Sequence, residues 1–204
     1  MLGPPGSGKG TQAKFLAGSL VKRHVSVGGI LRTEIAANSP LGVRVARSVA
    51  AGELVADDDI VEVVRRALRT AERNGGWVLD GAPRTVTQAA ALSDVIETAN
   101  PLTTVVLALQ APAEQLRARL LRRAKTEGRD DDIAAVIDHR LTNWTTQGSR
   151  VIDWYQDRGL LVRVDATGDV EAVAARVAHL FPKLTRNAQR DTGSAGAERQ
   201  SEFP

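Results

Sequence analysis

The sequence predicts an α/β fold in which a parallel β-sheet is covered by helices on both faces. Short apolar runs alternate along the chain with longer segments of helical periodicity, and the runs end in polar or glycine-rich corners. Strands separated by helices pair in parallel, because the intervening helix crosses back over the sheet before the next strand begins. Ligands bind at the carboxyl ends of such strands. We therefore expect the functional residues in these corners and on nearby loops.

Each predicted element follows from its apolar pattern. The apolar runs predict four strands, at His24–Val27, Trp77–Leu79, Thr104–Leu109 and Leu160–Val164. Helical spacing of apolar residues predicts the helices, at Lys9–Lys22, Ile30–Ala37, Leu41–Ala51, Asp57–Arg73, Thr85–Thr98, Ala113–Arg123, Asp131–Arg158 and Val170–Leu180. Residues 185–204 are polar, aperiodic and rich in Ser, Gly, Gln and charge, so we expect a disordered tail after one domain at 1–184.

The composition excludes several classes of function. A chain of 204 residues with 43% apolar residues can bury one substantial core. The absence of cysteine excludes disulfides and thiolate metal sites, and the three histidines are too dispersed to favour a histidine metal site. No run reaches the length of a membrane span and no signal peptide precedes the first motif, so we expect a cytoplasmic protein.

The charge pattern favours a small polyanion over nucleic acid as the partner. The net charge is +3, but the arginines are spaced among carboxylates and do not form one basic run. Aromatic residues make up only 3% of the chain, so stacking platforms for nucleic-acid bases are not expected.

The strongest motif is a predicted phosphate-binding loop near the start of the chain, which reads GPPGSGKGTQ from Gly3 to Gln12. Glycines let backbone N–H groups turn toward phosphate oxygens, and the following helix presents its positive end. Lys9 can then reach the terminal phosphates. The usual pattern has Ser or Thr directly after the lysine, whereas Gly10 intervenes here and Thr11 follows. The candidate triphosphate-binding residues are Pro5, Gly6, Ser7, Gly8, Lys9, Gly10 and Thr11, and Thr11 is also a candidate Mg²⁺ ligand.

This extended string, with the motifs below, resembles the adenylate kinase family of nucleoside monophosphate kinases, from Leu2 to about Leu180. The resemblance implies a P-loop three-layer sandwich with a monophosphate-binding insertion at about 26–57 and a short lid at about 124–132. It implies transfer of a phosphoryl group from Mg²⁺-ATP to AMP and a monomeric enzyme. Two alternatives remain open: a UMP, CMP or deoxynucleotide acceptor, and a catalytically weak nucleotide-binding regulatory protein.

A first acceptor motif follows the first predicted strand and reads SVGGILR from Ser26 to Arg32. The guanidinium of Arg32 offers paired donors in one plane, which suits a phosphate. The segment resembles the family's S-T-G-D-L-L-R motif, in which the final arginine binds the AMP phosphate. Val27 replaces the threonine and cannot make a hydroxyl contact with the base. Gly29 replaces the aspartate, which removes a carboxylate near the reacting centre.

A second segment, Gly52–Val55, resembles the family's stretch whose backbone meets the acceptor base. The resemblance makes Glu53 and Val55 candidate AMP-binding residues. By its sequence alone the segment is typical of a helix C-cap and a turn.

A third motif closes the second predicted strand and reads DGAPRT from Asp80 to Thr85, with Gln88 on the helix beyond. A carboxylate at a strand end facing a phosphate loop is well placed to hold the water shell of Mg²⁺. The motif resembles the family's D-G-F-P-R-T…Q signature, with Ala82 in place of the aromatic residue. The resemblance assigns metal organisation to Asp80, AMP binding to Gly81, phosphate binding to Arg84 and adenine recognition to Gln88. Ala82 would leave space beside the acceptor for a different base.

The last motif surrounds the predicted lid, where Gly128 interrupts the helical period. Exposed Arg–Asp bridges would explain its charges without any catalytic role. The spacing instead resembles the family's short-lid members, in which Arg119 stacks on the ATP adenine. By that resemblance Arg123, Arg129 and Arg140 stabilise the charge of the transferring group, as phosphoryl transfer requires, and Asp131 and Asp132 latch the closed lid. No general base is needed, because the acceptor is already an ionised phosphate.

The strand that normally precedes a phosphate loop is reduced here to Met1 and Leu2. Such a strand has about 5–6 residues and lies near the middle of the sheet. We expect a misplaced start codon or a truncation; the alternative is a shorter native start that another pairing stabilises.

If the chain begins at Met1, we expect low stability, because two neighbouring strands lose their shared hydrogen-bonding partner. A chain extended upstream by about five codons, the length of a typical strand, should then melt at a higher temperature. Thermal unfolding of both chains tests this, and equal melting temperatures would refute it.

Overall fold

A computed structural model describes residues 1–73, 75–99, 104–127 and 133–180. Within these ranges the strands are β1 (Arg23–Ser26), β2 (Trp77–Asp80), β3 (Val106–Gln110) and β4 (Leu161–Asp165). The helices are α1 (Lys9–Ser19), α2 (Val27–Ala36), α3 (Pro40–Ala51), α4 (Asp57–Glu72), α5 (Val86–Ala99), α6 (Ala113–Glu127), α7 (Ala134–Asn143), α8 (Ser149–Gln156) and α9 (170–180). The predicted α/β fold with parallel strands is confirmed.

Two of the predicted boundaries were wrong for local reasons. The second helix starts at Val27 and not at Ile30, because the Ser26 side chain caps it by accepting a hydrogen bond from the Gly29 N–H at 3.4 Å. The long helix predicted to end at Arg158 is interrupted between α7 and α8 by a π-helical turn at Trp144–Gly148. The first two residues of that prediction, and the tail at 185–204, lie outside the described residues.

The described strands form two parallel pairs, β1 with β2 and β3 with β4, where the sequence predicted one sheet. The chain start lies between them. The Leu2 N–H donates to the Leu107 carbonyl at 2.8 Å, and the Leu2 carbonyl accepts from the Leu109 N–H at 2.9 Å. On the other side, the Met1 ammonium donates to the Leu79 carbonyl at 2.7 Å. Two residues suffice for one parallel bridge but not for a strand, so the ladder is interrupted there.

Successive apolar side chains along the strands point to opposite faces of this central layer, and helices pack on both faces. Leu107 and Leu109 of β3 pack in a cluster with residues of α1 and α9, whereas Val106 and Ala108 pack with residues of α5 and α8. A third cluster joins β1 and β2 to α2, α3, α4 and α5. The sheet is therefore buried on both sides, and its polar strand ends are left to form the site. Among the described helices, none is both long and apolar enough to cross a membrane.

The helix pair α2–α3 crosses at Gly42, at very short range. A Cβ atom on Gly42 would lie 2.1 Å from the carbonyl oxygen of Glu34, in the backbone of α2. The close crossing holds α3 against α2, and α3 then ends at Gly52, whose φ of 70° reverses the chain toward the acceptor-side cavity.

We predict that Gly42→Ala destabilises the protein by about 1–3 kcal/mol, because the backbones must separate to admit the methyl group. Gly18→Ala, in α1, is a matched control, because nothing lies within 4 Å of the position that its methyl group would take. It should be neutral or stabilise by up to about 1 kcal/mol, as alanine does in helices. Urea unfolding measures both, and equal midpoints for Gly42→Ala and wild type would contradict the packing argument.

Candidate active site

The predicted phosphate loop adopts an anion-binding conformation. Gly6 and Gly8 have left-handed φ values of 81° and 82°, and Gly8 directly precedes the first residue of α1, Lys9. A Cβ atom on Gly6 would lie 2.6 Å from the Leu116 carbonyl oxygen, so only glycine lets the loop pack this closely against α6. The loop therefore presents backbone N–H groups and the positive end of α1 to one space.

That space is an open cavity of about 630 Å³. It is lined by all the described cationic residues that the sequence predicted: Lys9, Arg32, Arg84, Arg119, Arg123 and Arg140. The loop residues on its wall are Gly6, Ser7, Gly8, Gly10 and Thr11, and Asp80 also lines it. Pro5 lines a smaller neighbouring cavity that Lys9 also reaches. Arg129, Asp131 and Asp132 lie outside the described residues.

A second, much smaller cavity of about 60 Å³ lies on the acceptor side. Its lining contains every predicted AMP-binding residue: Val27, Arg32, Glu53, Val55, Gly81, Arg84 and Gln88. Arg32, Arg84 and Arg140 line both cavities, so the two spaces meet at these three guanidinium groups. These three arginines can therefore contact anionic groups in either cavity.

Lys9 lies in an environment that disfavours its positive charge. Its side chain keeps some accessible surface, and its Nζ lies 3.3 Å from the Pro4 carbonyl oxygen. Burial lowers the pKa of Lys9 to about 7, and the positive charge of Arg84 contributes to this lowering, although Asp80 acts in the opposite direction. Arg140 and Arg123 add smaller effects that lower the pKa. The protein therefore holds a cluster of cations that a polyanion would stabilise.

Asp80 lies at the carboxyl end of β2 and is only 6% exposed. Its Oδ2 is 3.0 Å from Nε2 of His24, a neighbour that the sequence analysis did not assign to the site. A Cβ atom on Gly10 would be 3.5 Å from the same oxygen, so the carboxylate lies against the first turn of α1. The sequence carried one signal for this contact. Side chains alternate along β1, so His24 and Ser26 project to the same side, and Ser26 is in register with Asp80.

Gln88 is buried beneath the acceptor cavity, with 1% of its surface exposed. Its Oε1 accepts a hydrogen bond from the Arg84 N–H at 2.7 Å, and its Nε2 donates to Oδ1 of Asp57 at 2.8 Å. The Arg84 side chain turns back to donate from Nε to the Gly81 carbonyl at 3.1 Å. Asp57 was also missed, because sequence alone does not reveal that the first residue of α4 meets the first turn of α5.

The substitutions noted in the sequence have visible structural consequences. Val27 is buried, with 1% exposure, and brings no polar side-chain atom to the acceptor cavity. Ala82 is also buried, and it lines a small cavity of about 40 Å³ together with Trp144 and Gly148. A Cβ atom on Gly148 would lie 2.5 Å from the Trp144 ring, so the indole occupies the space that glycine leaves.

A phosphate loop facing an arginine-lined cavity, with a second cavity at the shared arginines, defines a nucleotide phosphotransferase of the P-loop class.

The family model described as "Adenylate kinase" matches residues 1–160. An adenylate kinase of Xanthomonas campestris pv. campestris strain B100 is 41% identical over 177 residues, which cover 87% of this chain and 95% of the relative. An adenylate kinase of Synechococcus sp. strain WH7803 is 46% identical over 177 residues, covering 86% and 93%. The chain belongs to the adenylate kinase family of nucleoside monophosphate kinases.

We predict that ATP binding at pH 8 takes up close to one proton. With a pKa of about 7, Lys9 is about nine-tenths neutral at pH 8 before binding. Bound phosphates favour the charged form and raise that pKa, so a proton must enter. At pH 6 Lys9 is already charged, and uptake should fall toward zero.

Calorimetry in buffers of different ionisation enthalpy measures this proton count. Lys9→Met should abolish the uptake at pH 8, whereas Lys14→Met, at an exposed lysine of the same helix, should preserve it. Absence of uptake in the wild-type protein at pH 8 would contradict the assignment of a lowered pKa to Lys9.

Proposed function

We propose that this enzyme transfers the terminal phosphoryl group of Mg²⁺-ATP to AMP and forms two molecules of ADP. The observation that carries the proposal is the meeting of two cavities at Arg32, Arg84 and Arg140. Transfer between two nucleotides requires the donor phosphate and the acceptor phosphate to be held in line within one site. Cations that line both cavities can hold both phosphates at that point.

On the donor side, the phosphate loop binds ATP. Backbone N–H groups of the segment 6–11 surround the phosphates, and Lys9 reaches the terminal ones. Arg119 lies at the rim of the cavity, where its Nη2 donates to the Gly168 carbonyl at 2.7 Å. By resemblance to the family, its planar guanidinium stacks on the adenine ring.

On the acceptor side, Arg32 binds the AMP phosphate at the first turns of α2. Glu53 and Val55 meet the base through their backbone, and Gln88 recognises its polar edge. Gly81 bends the chain below the acceptor, with a φ of 91°, so that Arg84 reaches the phosphate. The lining of the smaller cavity by all these residues supports the assignment.

During transfer, negative charge spreads over the equatorial oxygens of the moving group. Arg84, Arg123 and Arg140 stabilise that charge together with Lys9, and Arg129 joins them by resemblance to the family. Asp131 and Asp132 latch the lid, which excludes water and prevents hydrolysis. No proton has to be removed from the acceptor, because its phosphate is already ionised.

The residues present also fit Mg²⁺. Asp80 and Thr11 supply oxygen atoms to the lining of the larger cavity, and oxygen is the ligand that Mg²⁺ prefers. No group of three or more His, Asp or Glu in the described ranges could hold a metal alone, which suits an ion that relies on waters and substrate phosphates. When bound, Mg²⁺ neutralises charge on the phosphates of ATP. Asp80 would hold it through water and Thr11 through its hydroxyl.

The catalytic unit we propose is a monomer that spans 1–184, with the acceptor-binding part at about 26–57, the short lid at about 124–132 and a tail at 185–204. The monomeric state is proposed from the resemblance to the family alone. Its partners are ATP and AMP, with no nucleic acid or membrane, and these nucleotides suit a cytoplasmic enzyme.

One observation favours a second candidate, the phosphorylation of another monophosphate such as UMP, CMP or a deoxynucleotide. Val27 is buried and offers the base no hydroxyl with which to select adenine. The two acceptor assignments differ only in the base, so a panel of monophosphates separates them.

We predict that AMP has the highest kcat/KM in a coupled assay with Mg²⁺-ATP and a panel of monophosphates.

Arg84→Ala should reduce kcat by about a hundredfold or more, because the lost guanidinium faces both phosphates. Arg158→Ala is the control: it removes an exposed arginine that covers the Trp154 ring at 3.6 Å, away from both cavities. A change within twofold for Arg84→Ala would remove Arg84 from the site, and tight ATP binding without turnover of any acceptor would favour a regulatory protein.

A further inference from the structure

The amide of Gln88 is held by two neighbours of opposite polarity. Its Oε1 faces the backbone N–H of Arg84 at 2.7 Å, and its Nε2 faces Oδ1 of Asp57 at 2.8 Å. The same Oδ1 accepts a hydrogen bond from the Thr85 hydroxyl at 3.0 Å. Thr85 in turn caps the start of α5, where its Oγ1 accepts from the Gln88 N–H at 3.1 Å. Asp57, Thr85 and Gln88 thus form one partly buried network between α4 and α5, with Gln88 as its buried member.

This network allows only one orientation of the amide. A backbone N–H can only donate, and the carboxylate oxygen of Asp57 accepts in both of its hydrogen bonds. If the amide of Gln88 rotated by half a turn, its NH₂ would face the Arg84 N–H and its oxygen would face the carboxylate. Both contacts would then be repulsive, and a polar group that is buried without a partner raises the free energy of the folded state.

We propose that Asp57 is a positioning residue which fixes the Gln88 amide and thereby sets the base preference of the acceptor site. This inference rests on the proposed function, in which Gln88 recognises the base. One hydrogen on Nε2 and one lone pair on Oε1 remain for a ligand. Gln88 lines the acceptor cavity, so a fixed amide presents a donor and an acceptor in a fixed order.

The order of donor and acceptor distinguishes bases that have almost the same shape. The polar edge of adenine carries an amino donor beside a ring-nitrogen acceptor, whereas the edge of hypoxanthine, the base of IMP, carries a carbonyl acceptor beside an N–H donor. A glutamine that can rotate matches either base. A glutamine fixed by Asp57 and the Arg84 N–H matches only one order, so discrimination against the other base depends on the carboxylate.

Asp57 differs in this respect from the acidic residues that follow it in the first turn of α4. Asp58 is exposed, and Asp59 pairs with Arg44 through an Nη2–Oδ1 distance of 2.6 Å. All three carboxylates favour the helix N-terminus electrostatically. Asp58→Ala therefore removes a similar helix-terminal charge without changing the Gln88 network.

The test compares kcat/KM for AMP and for IMP in wild type, Asp57→Asn, Asp57→Ala, Gln88→Ala, Asp57→Ala/Gln88→Ala and Asp58→Ala. An asparagine at 57 keeps the shape but offers an NH₂ as well as an oxygen, so residue 57 no longer disfavours the rotated amide and only the Arg84 N–H still opposes it. Both single variants at Asp57 should lower the AMP-to-IMP ratio by about tenfold or more, the size expected for one mismatched buried hydrogen bond. Asp58→Ala should keep the wild-type ratio.

The double variant separates positioning from general stability. If Asp57 acts through Gln88, Asp57→Ala should not change the ratio further once Gln88 is alanine. If the ratio falls again in that background, Asp57 acts on the base by another route and the proposal is overturned. Melting temperatures of all variants report folding, and Asp57→Asn supplies the test should Asp57→Ala fail to fold.

Two failures can be told apart. If Gln88→Ala leaves the ratio within twofold, the glutamine does not recognise the base, and the proposed acceptor site is wrong together with the inference. If Gln88→Ala lowers the ratio but Asp57→Asn and Asp57→Ala both leave it within twofold, the acceptor site stands and only the positioning role is overturned.

Discussion

Repulsion among cations is the constraint on which the organisation of this enzyme depends. Lys9, Arg84, Arg123 and Arg140 lie close enough for the three guanidinium groups to lower the pKa of the lysine, and Asp80 is the carboxylate that opposes them. Such a cluster is unfavourable in the unliganded protein and favourable once phosphates enter. The charges are already in place before the reaction, so little reorganisation is needed when negative charge spreads in the transition state.

The fold holds this cluster by attaching its members to different elements. Lys9 begins α1, Arg84 follows β2, Arg123 lies in α6 and Arg140 lies in α7. The chain can therefore bring the charges together only in the folded state, where the buried clusters on both faces of the sheet stabilise the arrangement. The residues of the acceptor side are also attached to different elements, because the α2–α3 pair and the start of α4 supply the walls of the second cavity.

Much of the fold and the site could be predicted from the sequence, because glycine, lysine and arginine at fixed spacings define a phosphate loop and its cationic partners. The structure brings Lys9, Arg32 and Arg84 together around one space, as their motifs indicated. Contacts between side chains that are distant in the sequence could not be predicted. His24 meets Asp80 only because β1 and β2 pair in parallel, and Asp57 meets Gln88 only because two helix starts converge. The interruption of the sheet at Leu2, in contrast, could be expected from the sequence, because two residues cannot supply the strand that precedes the phosphate loop.

The most direct test of the central claim uses a compound in which two adenosines are joined by a chain of five phosphates. If donor and acceptor share one polyphosphate cavity, one molecule should bind per chain and displace both ATP and AMP. Isothermal titration of the wild-type protein, alone and with either nucleotide present, measures this directly. Displacement of only one nucleotide, or binding of two molecules per chain, would contradict a shared cavity.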